Sequence, residues 1–210
     1  MIRVLLSGGM DSAACLAWAS IEYGRAVDAV FFTYGQRHEG RERVAMSRLC
    51  NVYGVNKWFV PLGRIAGSAL TDLEGKLSGA GVVVPDRNAI MLRQAAALFP
   101  GPDAVVMGSC RDDWAVFEDC RPEFFDKMRT ELAPCKIITP LIDLDKRGVY
   151  RFAQRYGGSA LLDLSWSCYA GGEEPCGTCG ACEARARGIP APCGVCDECR
   201  AGIRCRELAP

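Results

Sequence analysis

Close to its start the chain runs through a short strand-like stretch, residues 3–6, and breaks into Ser7-Gly8-Gly9-Met10-Asp11-Ser12. A helical pattern, residues 11–23, follows at once and stops at Gly24. Glycines at a strand-to-helix turn let the backbone curl so that several N–H groups face one concavity, and the helix adds its positive end. Hydroxyls from Ser7 and Ser12 add donors, so the turn is suited to an anion such as phosphate. Asp11 is out of place in an anion site unless a magnesium ion bridges it to the phosphates. The plainer reading is a tight turn capped by a polar residue. The loop lacks the Gly-Lys-Ser/Thr ending of a γ-phosphate transfer site.

Strand and helix signals alternate after this turn. Strands are predicted at residues 27–34, 58–62, 104–108 and 136–141, and helices at 39–53, 89–99, 122–132 and from 145 to a stop at Gly157. In the 39–53 helix, Ala45, Leu49, Val52 and Tyr53 share the apolar face, while Glu39, Arg41, Glu42 and Arg43 read as a solvated face. Residues 63–84 hold five glycines without a clear period and read as a loop or lid. The alternation predicts an α/β fold: a doubly wound, mostly parallel sheet that binds ligands at the carboxyl ends of its strands.

Composition narrows the function. Half the residues are apolar, and 25 basic side chains balance 25 acidic ones. That excludes a disordered chain and disfavours a broadly basic nucleic-acid binder. No apolar run approaches the ~20 residues of a membrane span, and no secretory leader is legible, so a cytoplasmic protein is expected.

Eight of the 13 cysteines fall between Cys168 and Cys205, where Gly and Pro also crowd and apolar periodicity is lost. The chain is therefore divided into a nucleotide-type domain, 1–163, and a Cys-rich tail, 164–210, held by metal rather than by a core. Cys168, Cys176, Cys179 and Cys182 form a Cys-x7-Cys-x2-Cys-x2-Cys set, and four thiolates satisfy a structural tetrahedral zinc. A near-copy, Cys193, Cys196, Cys199 and Cys205, offers a second zinc, an iron–sulfur cluster, competition for the first site, or a plain tail.

The loop resembles the PP-loop of the N-type ATP pyrophosphatases. The resemblance narrows through Tyr34-Gly35-Gln36-Arg37-His38, Val84-Pro85-Asp86-Arg87-Asn88 and Asp119-Cys120-Arg121-Pro122-Glu123-Phe124. With Trp166-Ser167-Cys168-Tyr169 and the cysteine quartet, the chain resembles the 7-cyano-7-deazaguanine synthase (QueC) family over residues 4 to about 188. That resemblance implies a Rossmann-like fold of the adenine nucleotide α-hydrolase type, and an ATP-dependent ligase that turns 7-carboxy-7-deazaguanine and ammonia into the nitrile by way of an amide.

It implies that Ser7, Gly8, Gly9, Met10, Asp11 and Ser12 hold pyrophosphate and Mg2+, and that Phe32 and Thr33 border adenine. The resemblance places Arg87 and Asn88 nearest the reaction and Lys146 within reach of phosphate, though charge alone leaves Lys146 equally a solvated lysine. On chemical grounds Asp119 and Arg121 are candidates to read the guanine-like edge or the carboxylate of the substrate. Zn2+ on the quartet and a homodimer are part of the same expectation. His38 is read evenly as a site residue or a helix cap. Asp86 stands where the family usually has a small residue, often Gly, so a reaction ending at the amide or using another acceptor stays open. Two rivals remain: a PP-loop enzyme modifying a tRNA base, with Arg185, Arg187, Arg200, Arg204 and Arg206 as its basic patch, and a non-catalytic zinc-knuckle module.

Overall fold

The computed structural model describes residues 1–72, 74–157 and 160–189. Five strands, β1 (Ile2–Leu5), β2 (Val27–Thr33), β3 (Asn56–Pro61), β4 (Ala104–Val106) and β5 (Lys136–Ile138), form one sheet in the order β3-β2-β1-β4-β5. All four pairings are parallel, with Val4 opposite Ala29 on one side and Val106 on the other. β1 is therefore central, and the connection from β3 to β4 crosses to its other side, so the strand order reverses between β1 and β4. That crossing opens a crevice at the carboxyl ends of these two strands.

Helices cover both faces. Ile2, Val4 and Leu6 point to one side, where they meet α1 (Met10–Tyr23), α2 (Glu39–Tyr53), α5 (Lys146–Gly157) and α6 (Ala160–Asp163). Leu5, Val30, Phe32 and Val105 point to the other, against α3 (Arg87–Ala97) and α4 (Pro122–Glu131). The alternation is the two-residue period of a strand. Arg3 falls on the second face, fully buried. Its Nε and Nη2 donate to the Asp28 carboxylate at 3.1 Å each, and its remaining donors take the carbonyls of Ala95, Leu98 and Pro100. A buried charge is tolerable when it is paired and its donors are filled in this way.

Several boundaries differ from the predicted ones. β4 and β5 are only three residues long, because the chain turns away at Met107 and Thr139 to build the crevice. On α2 the buried face is Ala45, Met46, Leu49 and Cys50, whereas Val52 is exposed. Residues 63–84 lack regular structure apart from a short turn at Gly79–Val82, yet they are packed: Leu70, Val82 and Val84 bury against Tyr34. The backbone of this segment is tied at Arg37 N–H to Leu70 C=O and at Ala69 N–H to Gly81 C=O, both 2.8 Å.

The tail is not held by cysteines alone. α7 (Gly180–Gly188) packs on α5, and a Cβ on Gly188 would lie 2.8 Å from the Lys146 carbonyl. Cys193, Cys196, Cys199 and Cys205, with Arg200, Arg204 and Arg206, lie outside the described residues. Among the described residues no helix is long and apolar enough to cross a membrane.

Candidate active site

The turn between β1 and α1 is built as an anion nest. Gly8 has φ +83°, and a Cβ there would sit 2.8 Å from the Glu42 carbonyl and 3.0 Å from Met46 N, so only glycine fits. Its carbonyl accepts the Trp166 N–H at 2.8 Å, which clips the tail to the loop. Gly9 N–H donates to Ser7 Oγ at 3.2 Å, and Ser7 Oγ lies 3.2 Å from Ser12 Oγ. The helical ladder begins with Ala13 N–H to Gly9 C=O, so the amides of Met10, Asp11 and Ser12 have no partner within the helix. They open with the helix's positive end into the crevice. Met10 contributes backbone only, because its side chain is buried in the core. Just past β4, Gly108 comes so close that a Cβ would lie 2.9 Å from the Asp11 carbonyl carbon and 3.0 Å from Ser12 N.

A cavity of about 400 Å³ extends from this loop across the ends of β1, β2 and β4. Ser7, Gly9, Met10, Asp11, Ser12, Phe32, Arg87, Asn88 and Lys146 all line it, so most of the residues singled out by sequence meet in one place. Others stand behind the lining. Gly8 supports the loop. The Thr33 carbonyl is taken by Leu62 N–H at 2.8 Å. Asp119 holds Asn88, accepting its N–H at 3.3 Å on Oδ2 and its Nδ2 at 3.1 Å on the backbone oxygen. Arg121 is exposed, and its Nε donates to the Trp114 carbonyl at 3.0 Å.

Charge is concentrated at the loop. Lys146 Nζ lies 2.7 Å from Asp11 Oδ2 and 3.4 Å from Asp113 Oδ1, with only 7 % of its side chain exposed. The solvated-lysine reading is thereby corrected. Burial alone would lower the Lys146 pKa, but the two carboxylates outweigh it and hold the group charged, well above its usual range. Burial pushes Asp11 up, and Asp113 adds to the shift against the pull of Lys146.

One ammonium faces two carboxylates, and Asp11 Oδ1 is buried without a partner. Asp11, Asp113 and Cys110 place ligand atoms within 4.8 Å of one another. The two carboxylates suit a hard divalent cation such as Mg2+. The Cys110 thiol, pushed up by burial, does not. Asp113 was missed from sequence; its one signal is a carboxylate pair, Asp112-Asp113, just past the end of β4.

Farther from the loop the lining turns aromatic and apolar, with Phe32, Tyr34, Phe117, Tyr169, Met91 and Met107. Arg87 stands among them, giving Nη1 to the Tyr34 hydroxyl at 3.3 Å and Nε to Asn88 Oδ1 at 3.2 Å. Gln36, His38 and Glu42 complete this wall. Glu42 is buried, so the reading of residues 39–43 as one solvated face is corrected. Arg41 is also engaged, stacked 5.3 Å over Trp166 and donating to the Gly172 carbonyl.

Cys168, Cys176, Cys179 and Cys182 bring their sulfurs within 4.8 Å of one another, the donor set of a closed zinc site. Amides already point at the sulfurs: Cys176 N–H and Ala170 N–H at Cys168 Sγ, and Tyr169 N–H at Cys179 Sγ. Backbone amides of Thr178 and Cys179 draw the Cys176 thiol down to about 6. The knuckle sits against the cavity. Tyr169 packs 5.5 Å from His38, and Arg185 on α7 bonds Ser165 Oγ and Ser167 Oγ.

A parallel doubly wound sheet whose central strand ends in this loop, facing a lysine–carboxylate cluster, defines a PP-loop protein. A family model described as queuosine biosynthesis protein QueC matches residues 2–193, and the chain belongs to that family. It is 39 % identical over 208 residues to a protein of Thermoplasma acidophilum, covering 89 % of this chain and 86 % of the relative. It is 38 % identical over 208 residues to one of Acidobacterium capsulatum, covering 88 % and 89 %. Both relatives are named 7-cyano-7-deazaguanine synthase.

Among solved structures, the U34-tRNA thiolase NcsA of Methanococcus maripaludis with its [4Fe-4S] cluster shares the fold. Its TM-score is 0.52 at 18 % identity, over 79 % of this chain and 58 % of that one. A predicted tRNA methyltransferase subunit of Methanocaldococcus jannaschii gives 0.50 at 16 % identity over 73 % of each chain.

Proposed function

We propose that this protein is an ATP-dependent ligase that converts 7-carboxy-7-deazaguanine and ammonia into 7-cyano-7-deazaguanine. The observation that carries the reading is that the loop, with Lys146 anchored on Asp11, opens into the same cavity as Arg87, Asn88 and an aromatic wall. A triphosphate and a flat, anionic heterocycle can therefore be held side by side.

In this reading the amides of residues 10–12 and the hydroxyls of Ser7 and Ser12 hold the β- and γ-phosphates of ATP. Lys146 neutralises charge that grows as pyrophosphate leaves. Phe32 and Met107 border the adenine; Tyr34, Phe117 and Tyr169 offer faces for the deazaguanine, and Arg87 orients its carboxylate toward the α-phosphate. Mg2+, when bound by Asp11 and Asp113, supplies further charge neutralisation at the phosphates.

A carboxylate is a poor electrophile, and adenylation converts one of its oxygens into a leaving group. Ammonia then displaces AMP to give the amide. A second ATP activates the amide oxygen, and its loss leaves the nitrile. Positioning both reactants in one enclosed site accounts for much of the acceleration. Zn2+ on the four cysteines keeps Tyr169 and the Trp166–Gly8 clip in place. A homodimer in the cytoplasm belongs to the same reading and rests on the family. Asp86 lies on the surface, outside the cavity lining, which favours a reaction that runs through to the nitrile.

Incubation of the zinc-loaded protein with 7-carboxy-7-deazaguanine, Mg-ATP and ammonium, followed by mass spectrometry, tests this. Nitrile with two AMP per turnover is expected. Amide as the only product would contradict the end point, and AMP formation only with another acceptor would contradict the substrate.

A further inference from the structure

One polar group in the cavity is not used by the chemistry above. Gln36, His38 and Glu42 all line it, and all three are buried. Glu42 Oε2 accepts from Gln36 Nε2 at 3.2 Å, and Gln36 is itself fixed, donating to the Phe32 carbonyl and accepting the Tyr34 N–H. The other oxygen, Glu42 Oε1, lies 3.5 Å from His38 Nε2. Among the described residues no lysine or arginine forms an ion pair with Glu42. His38 is 3 % exposed and its Nδ1 is buried without a partner. A buried carboxylate without a fixed cation is costly, and a small exchangeable cation relieves that cost. An imidazole with no bond at Nδ1 has no fixed tautomer, so its proton can sit on either nitrogen.

We infer that Glu42 and His38 form the ammonium-binding and deprotonating site for the amination step. The inference rests on the ligase reading and names the part of the cavity that receives the nitrogen donor. Ammonium docks on Glu42 Oε1 and gives it one proton, which passes to His38 Nε2 while the ring keeps its other proton on Nδ1. The freed lone pair forms the C–N bond at the acyl carbon, and the C–O bond to AMP breaks with its electron pair leaving on AMP. The amide nitrogen then loses its extra proton to the vacated Glu42 carboxylate, and both protons exchange to solvent. Gln36 acts as a positioning residue by holding Oε2.

Hydroxylamine separates this role from folding and from adenylation, because it is uncharged at neutral pH and needs no deprotonating site to attack an acyl adenylate. Glu42→Gln and His38→Asn are compared with the unaltered protein, each given 7-carboxy-7-deazaguanine, Mg-ATP and either ammonium or hydroxylamine. Expected is a loss of ammonium-dependent amide formation of roughly 100-fold in Glu42→Gln and less in His38→Asn. The hydroxamate rate should stay within about threefold, and the KM for ATP unchanged. Equal use of ammonium by variant and parent would overturn the inference, as would a parallel loss with both nucleophiles. An unaltered protein that forms neither product would overturn the ligase reading along with it, a failure seen in the parent and not only in the variants.

Discussion

Replacing Lys146 by methionine keeps most of the side-chain volume and removes the one positive charge between Asp11 and Asp113. At an effective dielectric of about 20, charges 2.7 and 3.4 Å apart attract by about 6 and about 5 kcal/mol. Desolvation of the ammonium cancels part of this. Removing one partner of a buried ion pair costs about 3–5 kcal/mol in practice. The Asp11 and Asp113 side chains are 23 % and 22 % exposed and can partly rehydrate, so about 3 kcal/mol is expected at pH 7.5.

The loss should depend on pH with a defined sign. Burial holds the Asp11 carboxyl above its ordinary 3.8 in the folded protein, and without the ammonium it rises further. The folded variant then binds more protons than the unfolded chain between 3.8 and that raised Asp11 value, so its stability falls as pH rises through that window. Lys146 in the unaltered protein stays charged from pH 5 to 8 and contributes a constant term. The difference between the two proteins therefore widens as pH rises from 5 to 7.5. Urea denaturation of both zinc-loaded proteins at the two pH values reads it directly. A loss under 1 kcal/mol at pH 7.5, or an equal loss at both pH values, would refute the assignment of Lys146 as the counter-ion of this pair.

Asp86 is the one non-glycine residue with positive φ among the described residues, at +54°, and its side chain makes no cap bond. Asp86→Gly should therefore stabilise the protein by about 0.5–1 kcal/mol in urea, and a loss of stability would contradict the strain. Gly108→Ala should raise the KM for ATP by about tenfold or more, because its Cβ would press on the backbone at Asp11 and Ser12; unchanged kinetics would show that the loop yields freely. Stripping zinc with a chelator should loosen the clip between Trp166 N–H and Gly8 C=O, weakening ATP binding by isothermal titration and changing Trp166 emission. Undiminished ATP affinity in the zinc-free protein would separate the knuckle from the loop.

Much of the site could be read in the sequence because local rules govern it. The nest at residues 7–12 needs only glycines, hydroxyls and a strand-to-helix turn, and the cysteine quartet needs only spacing. Asp86 was legible as a departure, and the structure gives the physical reason glycine suits that position: the left-handed backbone before α3.

What escaped the sequence depends on where distant segments meet. Asp113 reaches Lys146 only because β4 stops early and its loop turns back over α1. Glu42 looks like a surface charge beside Glu39, Arg41 and Arg43, yet the close approach of α2 to Gly8 buries it. Nothing in the sequence says that Arg121, just before α4, gives its Nε to the Trp114 carbonyl. The tail reads as metal-held, and α7 adds a helix whose packing on α5 has no periodic signal.

In the proposed mechanism both oxygens of the substrate carboxylate leave on AMP. The direct test uses 7-carboxy-7-deazaguanine carrying 18O in both carboxylate positions, with Mg-ATP and ammonium, and mass analysis of the nucleotide products. Two AMP per nitrile are expected, each holding one 18O in its phosphate. Label retained in the product, or released into water or inorganic phosphate with unlabelled AMP, would contradict it.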